Sequence, residues 1–161
     1  TAGEAAFRQA RELFLAELFE AKISERKRDW SAALRAYRAC QNLIDRIPAD
    51  CDVAPNELIW NVGLIEQGSR DPEQLSRFLR LRDQMGDPLL DPSRDPERMR
   101  QTLANLSALE KAGVDTWLAP HVAFLKGLCR SLLKKPERSL AELQRAEAMR
   151  PDVSLLQRVL L

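Results

Sequence analysis

The sequence predicts an all-α protein, and three observations carry that class. Apolar residues recur at three-to-four spacing through long stretches free of Gly and Pro, and no segment alternates with the period of two that a half-buried strand needs. Two helix starts are spelled out as Asp71-Pro72-Glu73 and Asp95-Pro96-Glu97. The Asp side chain accepts an orphan N–H, Pro gives up one that had no partner, and Glu complements the helix dipole. Finally, 45% apolar and 30% charged residues in a chain of 161 suit one packed helical domain and exclude a disordered one.

The first helix is expected from Glu4 to about Arg28, with Phe7, Phe14, Leu18 and Ile23 among its apolar positions. The second runs from Trp30 to Ile47 on the stripe Ala33, Leu34, Tyr37, Cys40, Leu43, Ile44, and Pro48 stops it. PADCDVAP, residues 48–55, reads as a loop. Asn56 to Gln67 is a third helix closed by Gly68 in a left-handed cap. Helix four spans Pro72 to Met85. GDPLLDPSRD then carries two prolines and interrupts any regular helix until Pro96, where helix five starts and runs to Ala112, capped by Gly113. Asp115 opens a distorted turn, Pro120 to Leu133 is helix six, and Pro136 to Met149 is helix seven. Pro151 ends that helix, and VSLLQRVLL at 153–161 reads as a short apolar cap.

Composition removes whole classes of chemistry. Lys and Arg total 25 against 24 Asp and Glu, so the net charge of +1 invites no non-specific nucleic-acid binding. One His and six Gly leave no multi-His metal site and no glycine-rich phosphate loop. No run approaches the roughly 18 apolar residues of a membrane span, and no basic-then-apolar leader opens the chain. Cys40, Cys51 and Cys129 read as three reduced thiols, although Cys40 and Cys51 would close a short loop in an oxidising compartment. The compartment stays open, with the cytoplasm preferred to the periplasm.

No catalytic constellation is expected. His121 is the only imidazole, at a helix start whose dipole lowers its basicity, and Cys129 lies about 12 Å further along the same helix, out of hydrogen-bond reach. Glu17/Glu20, Glu66/Asp71 and Glu142/Glu147 read as solvated faces of amphipathic helices. The arginines at 70, 77, 80, 82, 94, 98 and 100 sit among nearly as many acids and read as intrachain ion pairs. Neither an enzyme, a cofactor nor a metal is expected.

A repeat is the remaining signal. Counting Pro120 as position 1 of a 34-residue unit puts Gly127 at 8, Ser139 at 20, Leu143 at 24, Ala146 at 27 and Pro151 at 32. Counting from Phe14 puts Ala21 at 8, Trp30 at 17, Ala33 at 20, Tyr37 at 24 and Cys40 at 27. This pattern resembles the tetratricopeptide repeat, in which small residues meet where two helices cross closely. Lys126 and Arg130, at positions 7 and 11 where the family prefers apolar or aromatic residues, depart from it. The resemblance implies a right-handed α-solenoid of seven or eight helices in one domain over 1–161. Its units would be 14–47, 56–88, a degenerate 89–112, and 120–152, with 153–161 as a cap.

By the same resemblance, a concave groove would be lined by Lys22, Glu25, Arg26, Glu57, Trp60, Leu64, Gln67, His121, Phe124, Leu128 and Ser131. Trp60 and Phe124 would anchor a partner peptide or helix, and Lys22, Arg26 and Glu57 would set polarity. The family's chaperone-tail clamp wants Lys and Asn where this chain has Leu18 and Lys22, so that ligand class is not implied. The expected function is thus a protein–protein interaction module, an adaptor, chaperone or assembly factor, with self-association through the apolar carboxyl end as an added possibility. The alternative is a helical bundle that binds a small molecule or lipid between its helices.

Overall fold

The computed structural model of the chain describes residues 1–47, 55–85 and 95–150, with the side chains of 55–57 left out of that description. The expected loop at 48–54, Cys51, the broken helix of the degenerate unit at 86–94, the cap at 153–161 and the Glu57 side chain lie outside the described residues. Those described form seven α-helices and no strand.

Five starts or stops fall where local chemistry puts them. The second helix, α2 (Trp30–Leu43), is capped by Asp29, which accepts from the Ala32 N–H at 3.1 Å. Asp71 accepts from the Gln74 N–H at the head of α4 (Pro72–Gln84), and Asp95 from the Glu97 N–H at the head of α5 (Pro96–Ala112). Gly113 closes α5 with φ +96°, a conformation that a side chain would disfavour. Pro136 is the first residue of α7 (Pro136–Met149). Gly68 is different: it is the last helical residue of α3 (Pro55–Gly68), without positive φ. Ser69 continues the ladder by donating its N–H to the Ile65 carbonyl, so no left-handed cap forms there. The end of the second helix also tightens, passing into a short 3-10 turn at Ile44–Arg46.

Contacts group the helices into two compact units, Thr1–Arg70 and Asp71–Leu161. The sequence was read as one domain, with a repeat unit at 56–88. In the structure α3 belongs to the first unit and α4 to the second.

In the first unit, α1 (Ala2–Arg26) pairs with α2, and α3 packs on α2. Phe14, Leu18 and Ala21 of α1 and Ala33, Ala36, Tyr37 and Cys40 of α2 are buried, and the Cys40 thiol reaches the Phe14 carbonyl at 3.7 Å. At 25 residues against 14, α1 outruns its partner, and Phe7 near its free end and Leu13 at mid-helix stay half exposed. In the second unit, α6 (Ala119–Leu132) sits between α5 and α7, and α4 packs on α5. A cluster of Met99, Leu106, Leu118, Val122, Ala123, Leu125, Cys129, Leu143 and Ala146 forms the buried core there.

The turns of α1–α2 and α6–α7 match bond for bond. Asp29 donates to the Ser24 carbonyl and Arg28 to the Glu25 carbonyl, at 2.9 and 3.0 Å. Lys135 donates to Arg130 and Lys134 to Ser131, also at 2.9 and 3.0 Å. This is the Schellman arrangement, in which two crossed bonds satisfy the last helical carbonyls. It needs a residue in the left-handed region, and that residue is Arg28 (φ +60°) in one turn and Lys134 (φ +59°) in the other. In the sequence register given above, both occupy position 15 of their units.

The crossing of α6 and α7 is tight. A Cβ on Gly127 would lie 2.7 Å from Cγ and Cδ2 of Leu143, closer than carbon atoms pack. The Ser139 hydroxyl donates to the Gly127 carbonyl at 2.8 Å across the same crossing. The matching residues of the first hairpin, Ala21 and Ala33, are fully buried.

Candidate functional site

The groove residues named from the sequence fall into two classes. In the first unit, the Glu25 carboxylate is buried and accepts from the Tyr37 hydroxyl at 2.6 Å, while Lys22 lies over the Tyr37 ring at 6.0 Å from its centroid. Trp60 and Leu64 are 2% and 3% exposed and belong to the core. Arg26 and Gln67 are exposed. In the second unit His121 is 2% exposed, Phe124 and Leu128 are half-buried and Ser131 is exposed.

Trp60 as an accessible anchor therefore needs correcting: its indole is covered and cannot meet a partner on the surface of this fold. Burial also decides His121. The imidazole is held neutral, its pKa lowered to about 3 by burial and then by the nearby positive charge of Arg150. The expected lowering is present, with burial as its largest cause and the Arg150 charge next. Cys129 is likewise a core thiol, 3.7 Å from the Met85 sulfur, and burial pushes its pKa up to about 12 even against the Arg130 charge, which makes it a poor nucleophile.

The second unit also holds a charged cluster that the sequence reading did not assemble. Lys126, whose side chain is 7% exposed, places its ammonium 3.0 Å from Glu110 and 3.2 Å from Glu142. Arg145 lies 2.7 Å from the other Glu110 oxygen and 2.8 Å from the other Glu142 oxygen. Arg130 approaches Glu142 at 3.8 Å. The cluster thus joins α5, α6 and α7. Burial raises the Glu110 pKa, but the hydrogen bonds from Arg145 and Lys126 outweigh it and hold the carboxyl below its ordinary value. Glu142, expected on a solvated face, is largely covered.

A signal for this cluster was present. Lys126 and Arg130 are the two residues that break the repeat's apolar pattern, and a charge at an apolar position has to find a counter-charge once covered. Arginines in the middle of the chain do form ion pairs as read: Arg77 with Glu73 at 3.8 Å and Arg100 with Glu97 at 2.9 Å, both exposed.

A depression of about 320 Å³ opens beside the cluster between α6 and α7, lined by Arg130, Arg138, Ala141, Glu142 and Arg145. Among the described residues no group of three or more His, Cys, Asp or Glu side chains is placed to hold a metal ion. None of the described helices is long and apolar enough to cross a membrane. No known protein family, curated protein or solved structure matches the chain.

Proposed function

We infer that the chain is a protein–protein interaction module built like a short tetratricopeptide array, and that it takes a partner peptide or helix along exposed parts of its first-helix faces. The observation that carries this reading is the match between α1–α2 and α6–α7. Two hairpins about a hundred residues apart use the same Schellman turn, with a basic residue in the left-handed region of each. They also bury small residues at the same register positions, Ala21 and Ala33 in one, Gly127 and Ser139 in the other. Repeated hairpins of this kind stack into right-handed solenoids whose concave side binds partners.

Within that reading the contact residues are the accessible ones. Phe124, Leu128 and Ser131 lie at i, i+4 and i+7 and so share one face of α6, with two apolar side chains partly exposed. In the first unit the accessible residues of the set are Arg26, Gln67 and part of Lys22. Trp60, Leu64 and Glu25 are buried within the first unit and His121 within the second.

Affinity capture from the source lysate, with mass spectrometry, tests this using three proteins: wild type, the double variant Phe124→Ala/Leu128→Ala, and Arg35→Ala as an exposed control. A partner protein held by wild type and the control, and lost by a double variant that keeps its helical circular dichroism, supports the groove. A partner retained by the double variant overturns the α6 assignment. A small organic molecule co-purifying in place of any protein overturns the module and favours the ligand-binding bundle.

A further inference from the structure

The depression between α6 and α7 is a different place from the α6 face above, and its chemistry is that of an anion site. Three guanidinium groups line it, from Arg130, Arg138 and Arg145, against one carboxylate, Glu142. That carboxylate is already shared, with Lys126 at 3.2 Å as well as with Arg145 at 2.8 Å. Arg145 is also held by Glu110 at 2.7 Å, so the positive charge in excess inside the depression is that of Arg130 and Arg138.

Two observations point to an occupant rather than to a closed ion-pair network. Arg130 Nε is buried and has no acceptor among the described residues, its Nη2 reaches Glu142 only at 3.8 Å, and the buried Glu142 Oε2 likewise makes no well-formed hydrogen bond. A buried N–H left unmet is costly, and a bound oxyanion would meet it. Arg138 makes no ion pair with any described residue, although it lines the same depression. Guanidinium forks bind oxyanions through paired N–H groups, and several around one site suit a tetrahedral dianion better than a single-point charge does. A volume of about 320 Å³, open to solvent, accommodates a phosphate group and a small organic remainder.

We propose that Arg130, Arg138 and Arg145 form a binding site for a phosphate group, free or at the end of a small phosphomonoester. The site does not depend on the interaction-module reading, because it rests on other residues.

The test follows the Arg130 Nε–H resonance by NMR during titration at low ionic strength and pH 7.5. Inorganic phosphate, glycerol 3-phosphate, succinate and sodium chloride of matched ionic strength are the four titrants. Saturable movement with phosphate, and not with chloride, is the expected result. Arg138→Ala should weaken it by roughly fivefold or more, and Arg35→Ala should leave it unchanged. Glu142→Gln, which removes the competing carboxylate, should tighten it; a Glu142→Gln protein that loses its fold leaves Arg138→Ala and Arg35→Ala to decide. Glycerol 3-phosphate binding as well as phosphate assigns the site to phosphomonoesters, and binding of phosphate alone assigns it to the free ion. Tighter binding of succinate, equal shifts with chloride, or full binding by Arg138→Ala would each overturn the proposal.

Discussion

The hairpins α1–α2 and α6–α7 have one turn and two interiors. Their backbone bonds agree within 0.1 Å, down to a non-glycine residue at φ near +60°. What the turns hold together differs. The first hairpin closes over apolar side chains and one buried polar pair, Tyr37 with Glu25. The second carries Lys126 and Glu142 across its crossing and shares Glu110 with α5. Its helices also approach so closely at Gly127 and Leu143 that one added methyl would collide. Turn geometry is thus a backbone property that tolerates quite different chemistry inside the pair. The second hairpin spends its register on electrostatics, so it should respond to the loss of Lys126 and to the titration of His121, groups the first hairpin lacks.

The largest expected difference comes from Lys126→Met. Removing a covered ammonium leaves Glu110 and Glu142 with Arg145 as their main counter-charge, and breaking one side of a buried ion pair typically costs 3–5 kcal/mol. Because Arg145 remains and Glu110 is partly exposed, a loss of about 3 kcal/mol is expected in the second unit. Segment-resolved hydrogen exchange should show it in α5, α6 and α7 and not in α1 and α2. Equal loss of protection in both units would mean that the hairpins are not the independent structures compared here.

Acid should separate the units next. The folded pKa of His121 is about 3 against an ordinary 6.5, so between these values the unfolded chain takes up a proton that the folded chain refuses. Stability is therefore full above pH 6.5 and falls as pH drops toward 3. From pH 7.5 to pH 5 the loss is about 2 kcal/mol, read as faster exchange in α6 after correction for the intrinsic rate. His121→Gln should remove that slope. Glu110 acts lower in the range: its pKa is depressed in the fold, so its contribution is present above the ordinary carboxylate value and is lost as pH falls through the folded one. A slope in α6 that survives His121→Gln would contradict the placement of this effect at His121.

The smallest effect should be equal in both hairpins. Arg28 and Lys134 occupy the left-handed region at a cost of about 1 kcal/mol that glycine avoids. Arg28→Gly and Lys134→Gly should each stabilise by about 0.5–1 kcal/mol in urea denaturation. Unequal effects would show that one turn is strained by its surroundings rather than by its own backbone.

Much of this was legible before folding. Asp71 and Asp95 as caps, Pro72, Pro96 and Pro136 at first helical positions, and Gly113 as a stop act within a few residues, so they read directly from the chain, whereas the Asp29 cap was not picked out. The crossing residues Ala21, Ala33, Gly127 and Ser139 were found through their register alone. Of the candidate residues, Ser131, Arg26 and Gln67 are exposed and Phe124 and Leu128 partly so, whereas Trp60, Leu64, Glu25 and His121 are buried. The left-handed residues were missed because neither is glycine or asparagine. Periodicity shows which face of a helix is apolar, but not how many neighbours will cover the rest of it.

By itself, then, the sequence determined the all-helical class and the helix starts at Asp71, Asp95 and Pro136 and the stop at Gly113, since each follows from propensity and spacing along one strand of chain; the small residues at the α6–α7 crossing were what the repeat resemblance implied. Tertiary structure alone decided that Lys126, Arg130, Arg145, Glu110 and Glu142 meet, that His121 stays neutral, and that Trp60 is core. Burial and charge pairing depend on which helix lies across from a residue. Apart from Glu142 and Arg145, neighbours at i and i+3 on α7, the closest of these partners are 16 to 35 residues apart in the chain and come from three different helices, so no local rule connects them.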